Sequence, residues 1–387
     1  MSSAVKKVRD RRSSQPLSSS GDSFPEPPVV LLLSRAHRAS SSSLVPPSQV
    51  EPLRFPFQTP DPFLFAVYHN DDYPAGDDQL RAPRRGNGAD FDPNSAYRMY
   101  HGDRVPGFPQ HPHRGFETIT ATMIGLVDHT DSVGNAGRYG HGDVQWMTAG
   151  KGIVHGEMFP LVNADAPNPL RLFQIWLNLP ARSKMADPAF VMHWGEDVAT
   201  AKSADGLTTA IVWAGELLGA RGGTPPLESW AADDANDVVV AFMTMKPGAT
   251  FALPPARVGG DANRSAYFFE GSALRCEGET LRKGVAVELD ASVGAELSVP
   301  SDASEDAMVL ILQGRPIGEP VAQHGPFVMN TRSEIARAFA DYESTRFGGW
   351  PWDDDAPVFG KKGRFAKVNG VEYYPPSAAA AAAKDER

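Results

Sequence analysis

Two short segments carry side chains whose types and spacing suit a metal site. The first runs Gly107-Phe108-Pro109-Gln110-His111-Pro112-His113-Arg114-Gly115-Phe116-Glu117. On a β-strand, residues i and i+2 face the same way, so His111 and His113 project together. Pro112 between them has no N–H to give a ladder, which predicts an edge strand or a strand start. The second runs Gly150-Lys151-Gly152-Ile153-Val154-His155-Gly156-Glu157-Met158. The same period of two brings His155 and Glu157 to one face. Glycines at 150, 152 and 156 let the backbone turn and approach closely. Paired, the segments offer three imidazoles and one carboxylate.

That donor set suits iron, copper, nickel and manganese, and zinc less distinctively. It contains no thiolate, which argues against a closed structural zinc site. Four protein ligands on an octahedral ion leave positions open for water, dioxygen or a chelating substrate. The imidazoles must be neutral to bind, so affinity should fall at acid pH. The other histidines are expected to be structural. His37 lies in the N-terminal segment, His69, His101, His129 and His193 lack a partnered spacing, and His141 sits at a predicted turn. Cys276 reads as a small buried hydrophobe, since Arg275-Cys276-Glu277-Gly278-Glu279 has no neighbouring histidine.

The elements that must hold these residues are mainly strands. Gly (36) and Pro (34) are frequent breakers, which favours many short strands over long helices. Runs rich in β-branched and aromatic residues occur at 117–124, 143–147, 171–177, 238–245, 265–270 and 308–312. Helical spacing emerges late. Thr331 and Glu334 have the pattern of a capping box, and Ile335, Ala338 and Phe339 follow at helical period, predicting a helix over 332–345. An internal echo is visible. A strand ending at Gly125 precedes a turn at His141–Gly142 and the strand at 143–147, while a strand ending at Gly271 precedes Gly284 and the run Val285–Leu289. Two copies of one all-β unit fit the 387 residues at ~100–200 residues per domain. The joint falls after Pro180, in the polar stretch 181–188.

Net charge is −10, distributed unevenly. Residues 1–50 hold seven Lys/Arg against three acids and so carry +4, leaving −14 for the rest. An acidic body is a poor surface for direct nucleic-acid binding. Residues 1–50 also contain 14 Ser and six Pro, too polar to fold alone. A disordered tail is one reading and a cleaved organelle transit peptide the other, with the acidic Asp10 counting against the second. A transit peptide would direct the protein to the chloroplast or mitochondrion; otherwise nucleus or cytoplasm is expected. One cysteine excludes an intramolecular disulfide and fits a reducing compartment. The aliphatic run Val29–Leu33 is far short of the ~20 residues that span a bilayer, so no membrane association is expected. The end of the chain, Ser377 followed by six alanines, reads as a frayed terminus.

At the ligand segments the sequence resembles the pirin family of the cupin superfamily. His111–Thr118, Gly142–Met158, Leu172–Pro180 and Gln323–Thr331 carry the likeness, with Asp61–Leu64 in support, over roughly 53–345. The resemblance implies an all-β fold of two antiparallel, jelly-roll-like cupin β-barrels in tandem with a short C-terminal helix. It implies residues 51–180 as a metal-binding domain and 181–345 as a cupin domain without metal, leaving 346–387 as an irregular extension. It places Fe(II), or another divalent transition metal, on His111, His113, His155 and Glu157. His324 is read as structural, where the chain packs back on the first domain. Some pirins resemble quercetin 2,3-dioxygenases, which implies that a flavonol binds through its 3-hydroxyl, Glu157 accepts the proton, and dioxygen opens the central ring. Phe116, Met123, Met147, Phe173 and Trp176 are candidate pocket walls. Other pirins act as nuclear co-regulators, which implies instead a redox-sensing switch that binds a transcription factor according to the iron's oxidation state. A monomer is expected. Gly156 stands where pirins commonly carry Ser or Ala, and its missing side chain is expected to loosen the loop or remove a hydroxyl behind the ligands.

Overall fold

The computed structural model describes residues 49–377. The expected N-terminal tail or targeting segment up to 48, and the alanine run after Ser377, lie outside the described residues. Within them the chain forms two β-sandwich domains of the cupin kind. The strands sort into separate hydrogen-bonded sheets, so each domain is an open pair of facing sheets and not the closed barrel expected. The one long helix, Arg332–Thr345, has the predicted bounds and capping box. Glu334 Oε2 accepts the Thr331 N–H at 2.8 Å, and the Glu334 N–H donates to Thr331 Oγ1 at 3.2 Å. Among the described residues no helix is long and apolar enough to cross a membrane.

In the first domain, one sheet orders its strands Ala189–His193, Val144–Thr148, Phe116–Ile124, Asn168–Asn178, Phe63–Tyr73 and Phe57–Gln58. This sheet packs on the second domain. Alternation along the strand Phe116–Ile124 explains how. Ile119 and Ala121 join a buried cluster with Phe173 and Ile175, facing Trp213, Phe242, Phe269 and Leu310 of the second domain. The residues between them, Thr118, Thr120 and Thr122, face into the first domain. The opposing sheet carries the ligand segments, in the order Val371–Tyr373, Phe365–Val368, Ala136–Gly140, Leu126–Asp131, Ile153–Met158 and Gly107–His113. The second domain's interior is filled by apolar side chains such as Val212, Ala241, Met243, Phe268, Cys276, Leu297 and Val309.

The internal echo is a structural repeat. Phe116–Ile124 pairs with Val144–Thr148 as Asn263–Glu270 pairs with Val285–Glu288. The turn contacts repeat too: Gly142 N–H donates to Thr122 O, and Gly284 N–H to Phe268 O, at 2.8 and 2.9 Å. The expected domain limits are crossed by strand exchange. Gln49–Pro52 lies ahead of the first domain but pairs with Val285–Glu288 of the second. Ala189–His193, beyond the expected joint, closes the first domain's sheet against Val144–Thr148. Each covers a strand edge that would otherwise expose unpaired backbone.

Residues 346–377 are not irregular throughout. Phe365–Val368 adds to the ligand sheet beside Ala136–Gly140 and pairs with Val371–Tyr373. Asn369 and Gly370 form the two-residue turn between them, with φ of 51° and 82°, the Asn-Gly signature of a type I′ hairpin.

Glu117 ties the domains together. It is fully buried and accepts Thr148 Oγ1 at 2.6 Å and Ser229 Oγ at 2.5 Å. Burial outweighs these hydroxyls and pushes its pKa up to about 7. The unfolded chain releases this proton near pH ~4.3, so the folded state binds it more tightly between those values. The contribution is therefore complete below about pH 4.3 and lost as pH rises toward 7, on the order of 3 kcal/mol. Glu117→Gln should flatten the dependence of the urea midpoint on pH between about 5 and 8. An unaltered profile would refute the assignment.

Candidate metal centre

The ligand segments fold as their period of two predicts. Gly107–His113 is the edge strand of its sheet, which accommodates Pro112, and pairs antiparallel with Ile153–Met158. In that register His111 stands opposite His155. On the other side Ile153–Met158 pairs with Leu126–Asp131, setting His129 opposite Glu157. The rings of His111 and His155 are 4.4 Å apart between centroids, and both other pairs with His113 are at 4.8 Å. Donor atoms of His111, His113 and His155 lie within 4.8 Å of one another. Those of His129, His155 and Glu157 form a second such group. The structure brings His111, His113 and His155 together, and places Glu157 with His155 and His129 rather than with His111 and His113. His155 belongs to both groups.

His129, read from the sequence as structural, also stands in the second group. It lacks a partnered histidine spacing, and Asp131 at i+2 has an oxygen 3.5 Å from its Nε2.

Charge and hydrogen bonding favour an ion here. Burial pushes His111 down to about 4 and holds His113 and His155 well below the ordinary imidazole range. All three are therefore neutral at pH 7, as ligation requires. Burial also raises Glu157, against hydrogen bonds from Gln174 and Thr120 that lower it. Gln174 Nε2 donates to Glu157 Oε2 at 2.8 Å and Thr120 Oγ1 to Oε1 at 3.2 Å. The Trp176 indole donates to Gln174 Oε1 at 3.1 Å, extending the chain. His111 Nδ1 is 2.8 Å from Pro109 O. As the N–H donor there, it leaves Nε2 free to bind a metal, the usual outer-sphere arrangement. Among the described residues, neither ring nitrogen of His129 or His155 has a hydrogen-bond partner. Buried polar atoms are rarely left so, and a cation at the centre would engage one nitrogen of each ring. The residues present fit a divalent transition metal.

His111 and Gln174 are half-buried, while His113, His155, Glu157, His129 and Thr120 are buried. Beside His113 stands an aromatic wall, Phe65–Trp176–Phe116, with centroid spacings of 4.2 and 4.0 Å. Trp176 is 5.2 Å from the His113 ring. Two other proposed walls are corrected. Phe173 and Met123 pack in the cluster between domains, because each is one residue out of phase with the inward face. His324 lies in the hairpin Ala322–His324/Phe327–Met329, with its ring edge-on to Phe339. That hairpin docks on the first domain, where Val328 N–H donates to Arg114 O at 3.0 Å.

Gly156 lies in a strand, not a loop. A Cβ there would sit 3.4 Å from Thr130 Oγ1, a buried oxygen without a hydrogen-bond partner among the described residues. Its backbone is not left-handed, so a side chain brings no strain. Gly156→Ser should raise stability by about 1 kcal/mol, by restricting the unfolded chain and pairing that oxygen. The urea midpoint should rise with metal content unchanged; a fall in either would show that the strand needs glycine.

Comparison with known proteins agrees with this geometry. The sequence profile described as Pirin matches residues 57–177, and that of the Pirin C-terminal cupin domain matches 240–348. A pirin-like protein of Caulobacter vibrioides is 38% identical over 245 residues, 63% of this chain and 82% of that protein. The chain belongs to the pirin family. Pirin of Homo sapiens is 33% identical over 262 residues, covering 67% of this chain and 83% of its own length. Among solved structures, quercetin 2,3-dioxygenase from Acinetobacter baumannii superposes with a TM-score of 0.58 at 29% identity. That match covers 75% of this chain and 87% of the other. Both pirin profiles fall on the two sandwich domains, with the metal-suited residues 111–157 inside the first.

Proposed function

We propose that this pirin binds Fe(II) through His111, His113, His155 and Glu157 and cleaves flavonol-type substrates with dioxygen, as a quercetin 2,3-dioxygenase. The observation that carries the reading is the grouping of neutral imidazoles and a carboxylate at one end of an aromatic wall, with His111 and Gln174 half-buried. The likeness to a solved quercetin 2,3-dioxygenase supports the substrate class. A bound divalent ion would polarise a chelating hydroxyl and lower its pKa.

The chain's own residues supply the rest. Trp176, buried between Phe65 and Phe116, forms an apolar wall beside His113 that suits a hydrophobic substrate. Glu157 is the proton acceptor, at a carboxylate oxygen directed by the Gln174 and Thr120 donors. The buried His113 and His155 keep bulk water from the inner side. Oxygen uptake and loss of flavonol absorbance, measured on iron-loaded protein, test the proposal. Turnover should be clear in the wild type and absent in His111→Ala. Equal rates in the two would overturn it.

A further inference from the structure

We infer that His129 is a metal ligand, forming with His155 and Glu157 a two-histidine, one-carboxylate set on the floor of the centre. This rests on the metal reading given above and adds a donor to it. Three observations carry the inference. His129 is fully buried and, among the described residues, neither of its ring nitrogens has a hydrogen-bond partner. The nearest carboxylate is already engaged. Asp131 accepts the N–H groups of Val133 and Asn135 on one oxygen and the Asn135 side chain on the other, at 2.9–3.0 Å. Its 3.5 Å approach to His129 Nε2 is too long for a hydrogen bond.

Register is the second observation. His129 faces Glu157 directly across the strand pair, and its ring centroid is 5.4 Å from that of His155. The donor atoms of the three lie within 4.8 Å of one another. Third, Glu157 is held on this side of the centre by Gln174 and Thr120, and it groups with His129 and not with His111 and His113. Two histidines and one carboxylate are the donors of non-haem Fe(II) oxygenase sites. The competing role is packing, since the ring also lies 5.1 Å from that of Phe190.

Full-length wild type, His129→Ala and His129→Gln, each purified metal-free, decide between them. Fe(II) affinity is titrated, and histidine nitrogens coupled to Cu(II) in the same site are counted by pulsed electron paramagnetic resonance. Glutamine keeps the bulk and polarity of the ring, so it reports even where alanine fails to fold. His129→Gln should lose one imidazole coupling and weaken Fe(II) by more than the 10–100-fold typical of an outer-sphere change. Unchanged couplings and affinity in both variants would overturn the inference while leaving the metal reading intact. A wild type that takes up no ion would overturn both.

Discussion

Replacing His155 by alanine is expected to strip the protein of its ion, with a loss of affinity larger than that of any other single ligand change. The reason is topological. His155 lies on the central strand of the three that carry donors, between His111 on one side and the strand of His129 on the other. It is the one residue common to both donor groups. Removing His111 leaves His129, His155 and Glu157 in place, and removing His129 leaves His111, His113 and His155. Removing His155 leaves neither. Loss of an outer-sphere partner costs about 10–100-fold in affinity, and His155→Ala should exceed this range. His111→Ala should retain weak binding. The apo protein should hardly suffer, because His155 contributes two unpartnered buried nitrogens, which cost rather than stabilise. Adding Fe(II) should therefore raise the melting temperature of the wild type by mass action and leave that of His155→Ala unmoved. Elemental analysis of the purified variants gives the same ranking independently. Equal retention of metal by His155→Ala and His111→Ala would contradict the shared position.

The parts of the centre that were legible in the sequence are those fixed by local geometry. His111 and His113, and His155 and Glu157, are two residues apart, and in a strand that spacing alone sets a common face. The helix at 332–345 was equally local, read from Thr331 and Glu334. His129 reaches the others only through the register of Leu126–Asp131 against Ile153–Met158, which spacing along the chain does not contain. Phase errors account for Phe173 and Met123. Gln174, next to Phe173, is the inward residue that touches Glu157. The exchanged strands 49–52 and 189–193 were hidden because their partners are remote in sequence or belong to the other repeat. The late hairpin was not hidden: Val368-Asn369-Gly370-Val371 is a strong local turn signal, embedded in a segment without a match to the family.

That late segment leads to the second large effect, which concerns stability. Arg138→Ala is expected to lower the free energy of unfolding by about 3–5 kcal/mol, the usual result of breaking a buried pair by removing one partner. Arg138 and Asp128 are both buried and form a bidentate pair, Nε to Oδ1 and Nη2 to Oδ2, each at 2.6 Å. Both ends also hold the C-terminal segment. Arg138 Nη1 donates to Gly360 O and Lys362 O at 2.7 and 2.6 Å, and Asp128 Oδ2 accepts the Phe359 N–H at 2.9 Å. Burial already raises the Asp128 pKa against the opposing pull of Arg138. Without the guanidinium, the carboxylate must take up a proton or remain charged in a dry site. Either outcome weakens its hold on Phe359. The same segment supports the ligand strands directly, through the Trp352 indole on Asp131 O at 2.9 Å and the Gln110 N–H on Asp355 O at 2.8 Å. Arg138→Ala should therefore lower the urea midpoint and speed amide exchange over 352–364, with a smaller increase at 107–113 and 126–131. Arg138→Lys keeps the charge but not the fork, and should fall between. An unfolding free energy within ~0.5 kcal/mol of wild type, the range of ordinary surface changes, would show that the pair is not what fastens the segment to the sheet. Amide exchange raised over 352–364 alone would show that the segment is fastened there without supporting the strands 107–113 and 126–131.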